Sequence, residues 1–358
     1  MIAYDAVRRE LDAAGVDLLV VGPTANLRYL VGYDALPTDR LLTLLVTRDA
    51  AVLVLPQMEV SAVVPRHGEV VLGWEDSDGP AGALADAFSR LGPVATAAYE
   101  EWLPYRSVAA LAPHVDAVRP AGEILARPRL VKSAAELAGM AVAAELVDAV
   151  ADDVLARIRP GMTEREVAGE IARELWARGA DREAHLLVAA GPRAALHHQT
   201  PGDAVVNAGD SMLVDISTSV GGLWTDITRS VFLGKAGDEY ARAYALVAAA
   251  EEAGVRMARP GVTAHELNEA TLSVLHDAGY GRWASGRTGH GIGREVHEDP
   301  SLMAGNDVVL EAGMVVTVEP GIYIDGRFGI RIEDTVVVGD PPRRLTRSNV
   351  PLSAVELR

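Results

Sequence analysis

RPGMTEREV at residues 159–167 recurs one hundred positions later as RPGVTAHEL at residues 259–267. In both copies Pro-Gly ends one helix, and a threonine followed three residues later by glutamate predicts a capping box that begins the next helix. The repeat indicates an α+β domain built from two similar halves, with a site expected between them near a pseudo-two-fold axis. Two unrelated loops that share a turn-and-cap sequence are the alternative.

The chain before this repeat has a different pattern, in which short apolar strands alternate with helical periodicity. Residues 3–14 predict a helix, and residues 41–55 predict a β-hairpin with a turn at Arg-Asp-Ala. We therefore expect a small α/β domain over residues 1–126, joined by a connecting segment at residues 121–132 to a second domain over residues 127–358.

Composition restricts the class of protein. A length of 358 residues favours two domains. No run of eighteen apolar residues occurs and the first ten residues carry charges, so we predict neither a membrane span nor a secretory signal, and expect a cytoplasmic protein. The net charge of −17 argues against nucleic acid or an anionic membrane as partner. The absence of cysteine excludes disulfides, thiolate zinc sites and a cysteine nucleophile.

Four acids and one histidine stand at the edges of predicted strands or in the glycine-rich stretch TGHGIGREVHEDP: Asp215, Asp226, His290, Glu319 and Glu333. A carboxylate at the end of a buried strand is costly unless it meets a cation. One divalent ion cannot take four carboxylates and remain an open catalyst, whereas two ions can if two carboxylates bridge them. Oxygen-rich ligation with a single nitrogen favours Mn²⁺ or Co²⁺, with Zn²⁺ possible.

The ordered set VD, TDITRS, TGHGIGREVHEDP, VEPGIY and RIEDT resembles the pita-bread metallopeptidases, which include aminopeptidase P, Xaa-Pro dipeptidase (prolidase), methionine aminopeptidase and creatinase. The resemblance covers about residues 127–358. The preceding domain and the R-x-x-K-S-x-x-E sequence at residues 129–136 are similar to the proline-specific and creatinase branch. The resemblance implies an α/β N-terminal domain followed by an α+β pita-bread catalytic domain with internal pseudo-two-fold duplication.

The same resemblance implies the metal ligands and the reaction. Two divalent ions would be held by Asp215, Asp226, His290, Glu319 and Glu333, with Asp226 and Glu333 bridging. A hydroxide between the ions would attack the scissile carbonyl. Glu319 would accept a proton and pass it toward the leaving nitrogen, as a catalytic residue.

Two more histidines acquire roles from the resemblance. His198 and His297 would flank the substrate and donate hydrogen bonds to the developing oxyanion or to the substrate carbonyl, so both are catalytic and substrate-binding candidates. The alignment that selects His198 rests on the downstream Gly-Asp pair, and a slip by one residue would select His197 instead.

Thr228 and Arg331 are further candidates beside the expected ligands. Thr228 follows Asp226 by two residues, so its hydroxyl would orient that carboxylate. Arg331 precedes Glu333 by two residues and shares a strand face with it, so Arg331 is expected to pair with ligand carboxylates or to bind substrate.

The arginine expected to hold a substrate carboxylate is missing. Some prolidases carry it directly after HExP, where this chain has Ser301. The substitute that we expect is Arg40, in the polar loop at residues 34–40. It would act across a homodimer, in which the N-terminal domain of one subunit leans over the site of the other.

These features predict a dinuclear metallopeptidase that cleaves the Xaa-Pro bond of dipeptides, with short proline-containing peptides as its substrates. Aminopeptidase P, which releases the N-terminal residue from Xaa-Pro-Yaa peptides, is the alternative. A metal-free creatinase-like hydrolase and a non-catalytic peptide-binding module are more distant alternatives, and both are expected to have lost metal ligands. The N-terminal domain is expected to support dimerisation and to act as a lid.

Overall fold

The structure is a computed structural model and describes residues 2–197 and 199–348. The chain forms two compact units, and the division falls after Arg129. None of the helices in the described ranges has the length and apolar character needed to cross a membrane.

The N-terminal unit is built on one six-stranded sheet in the order β4-β3-β2-β1-β5-β6. Every residue of β1 is buried, as expected for a central strand covered on both faces. The strands are β1 (Leu18–Val21), β2 (Thr43–Val46), β3 (Ala51–Pro56), β4 (Val70–Trp74), β5 (Thr96–Tyr99) and β6 (Ala117–Pro120). The helices are α1 (Ile2–Ala14), α2 (Ala25–Val31), α3 (Ala81–Leu91), α4 (Tyr105–Leu111) and α5 (Gly122–Leu130).

The predicted α/β character and the predicted hairpin are confirmed, since β2 and β3 pair in antiparallel register. The segment at residues 121–132, which we expect to connect the two domains, is largely helical, since most of it forms α5 with Pro128 inside the helix. Ile124 and Leu125 of α5 are buried in the same apolar cluster as α1 and β1. Their burial offsets the hydrogen bond that an internal proline removes.

In the C-terminal unit, residues 130–197 and 199–348 form three antiparallel sheets with helices packed against them. The helices are α6 (Ala134–Leu155), α7 (Glu164–Ala177), α8 (Asp238–Met257) and α9 (Ala264–Asp277). The strands are β7 (Arg182–Ala190), β8 (Ser211–Val220), β9 (Leu223–Phe232), β10 (Arg287–Gly291), β11 (Glu298–Met303), β12 (Val315–Val318), β13 (Gly321–Ile324), β14 (Phe328–Arg331), β15 (Asp334–Val337) and β16 (Arg343–Arg344). The sheets run β7-β8-β9, β11-β10-β12-β15-β16 and β13-β14.

The duplication predicted from the repeat is confirmed by matching hydrogen bonds in the two halves. Thr163 begins α7 and Thr263 begins α9, each through a complete capping box. In both copies the glycine of Pro-Gly donates its N–H over 2.9 Å to a carbonyl further along the chain, that of Val206 in the first half and of Leu310 in the second.

The β8–β9 hairpin extends further than the sequence indicates. Asp215 was expected to end one strand and Asp226 to begin the next, but both lie inside long strands, where Ser217 pairs with Asp226 and Asp215 pairs with Thr228. In the sequence, the polar residues that follow Ile216 indicate the end of a strand. Ser217, Thr218 and Ser219 are nevertheless buried within the sheet, so the strand continues through them.

The repeated caps allow a stability test. We expect Thr163→Ala to lower the free energy of unfolding of the C-terminal unit by about 1 kcal/mol, because an N–H in the first turn of α7 loses its acceptor. Urea unfolding followed by helical circular dichroism would measure the change. Thr163→Ser retains the hydroxyl and serves as the control. Equal stability of the Ala and Ser variants would contradict the capping role.

Candidate metal centre

Three buried side chains from separate segments meet in the C-terminal unit. Asp226 lies on β9, His290 on β10, and Glu333 directly before β15. Their ligand atoms all lie within 4.8 Å of one another. The Glu333 backbone N–H donates to the Thr228 carbonyl oxygen over 3.1 Å, which fixes Glu333 beside β9. The fold therefore brings together one nitrogen donor and two carboxylate donors, and the two carboxylates lie over one hundred residues apart in sequence.

The remaining two predicted ligands border this group. Glu319 Oε1 lies 3.5 Å from His290 Nε2. Asp215, on β8, is paired through Oδ2 with Arg331. All five predicted ligands line the same cleft, which has a volume of about 810 Å³.

The charges of the site are mutually repulsive without a cation. Burial raises the pKa of Asp226 well above its usual range, and the nearby carboxylates of Asp215 and Glu319 raise it further. Burial likewise raises the pKa of Glu333, and the Asp226 carboxylate adds to the shift. Burial lowers the pKa of His290 to about 4, so its imidazole is neutral near pH 7 and has a lone pair for a metal. Such a donor set fits divalent ions.

The hydrogen bonds around the acids leave specific oxygens for a metal. Glu333 accepts the Thr228 hydroxyl on Oε2 over 2.6 Å, while its buried Oε1 has no hydrogen-bond partner within the described part of the chain. Asp215 is held through Oδ2 by Arg331, and its buried Oδ1 is likewise unpartnered there. One oxygen of each acid therefore fixes its orientation and the other is available as a ligand.

Thr228 was expected to orient Asp226, and the structure corrects this. Its hydroxyl donates to Glu333, because Thr228 forms an isolated β-bridge with Glu333. The orienting hydroxyl of Asp226 belongs to Ser217, which lies opposite it in the hairpin and donates to Oδ1 over 3.0 Å. A correct hairpin register would have identified Ser217 from the sequence.

Arg331 is buried, lines the cleft and makes a hydrogen bond from each of its three side-chain nitrogens. Nε donates to the Thr228 hydroxyl and Nη1 to the Tyr323 hydroxyl, each over 3.0 Å. Nη2 pairs with Asp215. Arg331 was expected to pair with a ligand carboxylate or to bind substrate. In the structure it pairs with the carboxylate of Asp215, a predicted ligand. Tyr323, which orients Arg331, was missed from the sequence, although it belongs to the quoted VEPGIY stretch.

Of the three candidate substrate-facing histidines, the structure describes two, His297 and His197. His297 lies in the cleft with its ring edge-on to that of His290, at 4.3 Å between centroids. Burial lowers the pKa of His297 to about 4, and His290 contributes. His198 lies outside the described residues. His197 also lines the cleft, with its ring centroid 3.8 Å from that of Tyr323.

Two arginines are candidates for binding the substrate carboxylate in place of the arginine that is missing at position 301. Arg40 lies half-buried in the N-terminal unit, where it forms two hydrogen bonds of 2.9 and 2.7 Å with Asp76. Arg287 was missed from the sequence. It lines the cleft, its side chain is 41% exposed, and Nη2 lies 3.9 Å from Glu319 Oε1. Its position three residues before His290 was the available signal.

Comparison with known proteins identifies the family of this chain. Residues 138–340 match metallopeptidase family M24, and residues 4–131 match the creatinase/prolidase N-terminal domain. The chain belongs to metallopeptidase family M24. Its two-part pita-bread architecture is thereby confirmed, and this M24 chain is a metal-dependent peptidase.

Full-length relatives of this M24 chain carry peptidase names. It is 37% identical over 336 residues to the probable dipeptidase PepE of Mycobacterium tuberculosis, covering 91% of this chain and 88% of the relative. It is 33% identical to the Xaa-Pro dipeptidase of Lactobacillus delbrueckii subsp. lactis, covering 93% of each. The solved Xaa-Pro dipeptidase of Bacillus anthracis superposes with a TM-score of 0.89 at 30% identity, covering 98% of each chain.

The raised pKa values of Asp226 and Glu333 predict a pH-dependent affinity for metal. Because a metal ion binds the ionised carboxylates, its binding displaces protons, and the affinity falls as the pH is lowered through the raised pKa values of these two groups. His290, with a pKa of about 4, is already neutral near pH 7 and contributes no proton there. Calorimetric Mn²⁺ titrations in buffers of different ionisation enthalpy would count the protons released. A pH-independent affinity without proton release would contradict the assignment.

Proposed function

We propose that this M24 peptidase hydrolyses the Xaa-Pro bond of dipeptides. The observation that carries the proposal is the convergence of four carboxylates and the neutral His290 on one cleft. The Xaa-Pro dipeptidase names of relatives that align with nearly the whole chain support the substrate class.

Two divalent ions would occupy the site, with Mn²⁺ or Co²⁺ favoured and Zn²⁺ possible. Asp215, Asp226, His290, Glu319 and Glu333, which line the same cleft, would hold the ions. When bound, the ions supply positive charge that polarises the scissile carbonyl and lowers the pKa of water.

The chain's own side chains would supply proton transfer and orientation. Glu319 is more accessible than Asp226 or Glu333, so its carboxylate can reach both water and substrate. We assign it the transfer of a proton to the leaving nitrogen. His297 remains neutral near pH 7 and would donate an N–H to the substrate carbonyl oxygen. His198, or His197 beside Tyr323, would act from the other side.

The substrate carboxylate requires a cation in the cleft. Arg331 is buried and already hydrogen-bonded to Thr228, Tyr323 and Asp215. Arg287 has an exposed side chain and a distant partner, so we propose it as the carboxylate-binding residue in place of an arginine at Ser301. Arg40 acting across a dimer stays as the alternative, and would need to share or leave Asp76.

Several finer expectations stay predictions. They are the homodimer, the role of residues 1–126 in dimerisation and as a lid, a catalytic domain over residues 127–358, and a cytoplasmic location. The creatinase-like and non-catalytic alternatives are disfavoured because all five expected ligands line one cleft.

Metal dependence is the first test of the function. We expect chelator-stripped protein to be inactive and to regain hydrolysis of an Xaa-Pro dipeptide with Mn²⁺ or Co²⁺, measured by proline release. Asp226→Ala should lose metal retention and activity together, because a central carboxylate is removed. Hydrolysis of an Xaa-Pro-Yaa tripeptide alone would indicate aminopeptidase P. Creatine hydrolysis by metal-free protein, with no peptide turnover, would overturn the proposal.

The carboxylate-binding role of Arg287 has a separate test. We expect Arg287→Gln to raise KM for an Xaa-Pro dipeptide about 10- to 100-fold, since a charge-assisted hydrogen bond is lost. KM for the corresponding Xaa-Pro amide, which lacks the carboxylate, should change little. Arg40→Gln is the matched control. If Arg40→Gln alone removes the preference for the free carboxylate, the assignment moves to Arg40.

A further inference from the structure

The R-x-x-K-S-x-x-E sequence has no place in the chemistry proposed above, yet its lysine has a buried partner. Lys132 Nζ lies 3.2 Å from Glu298 Oε2, and the two side chains are only 4% and 6% exposed. Glu298 directly follows His297 in the chain. A buried ion pair is costly to form and requires good geometry, so its position next to a substrate-facing histidine calls for an explanation.

We propose that Lys132 and Glu298 form a clamp that positions His297. The second oxygen of Glu298, Oε1, accepts the backbone N–H groups of Arg294 and Glu295 over 2.6 and 3.0 Å. The Glu298 carboxylate therefore links the two ends of the loop at residues 294–298 and connects the loop to Lys132. His297 is the last residue of this loop before Glu298, so its backbone is held immediately beside the clamp.

Gly293 shows how closely the clamp fits the loop. A Cβ at this position would lie 2.7 Å from Lys132 Cε and 3.0 Å from Glu298 Oε2. Lys132 is itself fixed, since its backbone N–H donates to the Gly313 carbonyl oxygen over 3.0 Å. The last glycine of GHGIG thus leaves room for the ion pair, which is a packing requirement and separate from metal or substrate access.

The same sequence motif holds the loop at a second point. Arg294 Nε and Nη2 donate to Glu136 Oε1 over 3.0 and 2.8 Å. Glu136 also completes the capping box that begins α6, so the loop is tied to a rigid helix end. Arg129, the first residue of the motif, lies in the N-terminal unit and donates to Asn26 there over 2.6 Å. Within the motif, the contacts to the loop therefore come from the K-S-x-x-E part, at Lys132 and Glu136.

Lys132 and Glu298 act as positioning residues. Neither is among the described residues that line the cleft, whereas His297 is. A change at Lys132 should therefore reach the reaction only through the loop. This inference rests on the proposed function for its kinetic consequence, but the tie between Lys132 and the loop can be measured without any activity.

Lys132→Met is the direct test, because it removes the charge and keeps an unbranched side chain. The chain's only other lysine, Lys235, is exposed, and Lys235→Met is the matched control. We expect faster amide hydrogen exchange at residues 294–298 in Lys132→Met, with exchange in α7 and α9 unchanged. We expect kcat/KM for an Xaa-Pro dipeptide to fall about 10- to 100-fold with metal content retained, as when the support of an active-site side chain is lost.

The His297→Ala background separates positioning from general destabilisation. If Lys132 acts through His297, Lys132→Met should cause little further loss of kcat/KM in that background. An equal loss with and without His297 would overturn the proposal, as would unchanged hydrogen exchange of the loop.

A double variant that lacks both charges tests the proposal if Lys132→Met alone fails to fold. Lys132→Met with Glu298→Gln leaves no uncompensated buried charge. We expect this double variant to fold, to bind metal and still to lose kcat/KM at least tenfold, and full activity would refute the clamp. If the wild-type protein with metal hydrolyses no Xaa-Pro peptide, the proposed function fails, and the hydrogen exchange of the loop alone decides on the clamp.

Discussion

The repulsion between buried carboxylates is the constraint on which the C-terminal unit depends. Asp226 and Glu333 are both buried and lie beside Asp215 and Glu319, so burial and mutual repulsion raise the pKa values of Asp226 and Glu333. A fold that only needed stability would gain by replacing these acids with apolar residues. Their presence is understandable if divalent cations complete the site, because the same crowding that destabilises the metal-free form strengthens the attraction for metal.

The acids can be held close together only because neighbouring groups fix them. Ser217 and Thr228 each donate to one carboxylate, and Thr335 exchanges hydrogen bonds with the backbone of Asp226. Behind them, buried Arg229 donates to the carbonyl oxygen of Glu333 over 2.6 Å and to the Asp334 carboxylate. The positions of these acids are thus set by hydrogen bonds within the β8–β9 hairpin and between β9 and the segment around β15, which is distant in sequence.

The sequence predicted the elements of the site better than their contacts. The repeat and its Thr-x-x-Glu caps fix local structure, and the two halves have the expected duplication. Strand register decides which hydroxyl contacts which acid. Buried polar residues such as Ser217 hide the true length of a strand, so the register cannot be read from the sequence pattern. For the same reason Thr228 was assigned to the wrong carboxylate. Arg287 was missed because a single exposed arginine carries no periodic signal.

The glycine-rich stretch carries both His290, which we propose as a metal ligand, and His297, which we propose to contact the substrate. His290 lies on β10, where its backbone N–H donates to the Thr317 hydroxyl over 3.1 Å, and so belongs to the sheet. His297 lies beyond the end of β10, in a loop without such pairing, and needs other support. The buried contact between Lys132 and Glu298 supplies it, at a place where Gly293 leaves the space. A residue that contacts neither metal nor substrate can thereby be as necessary to the reaction as one that does.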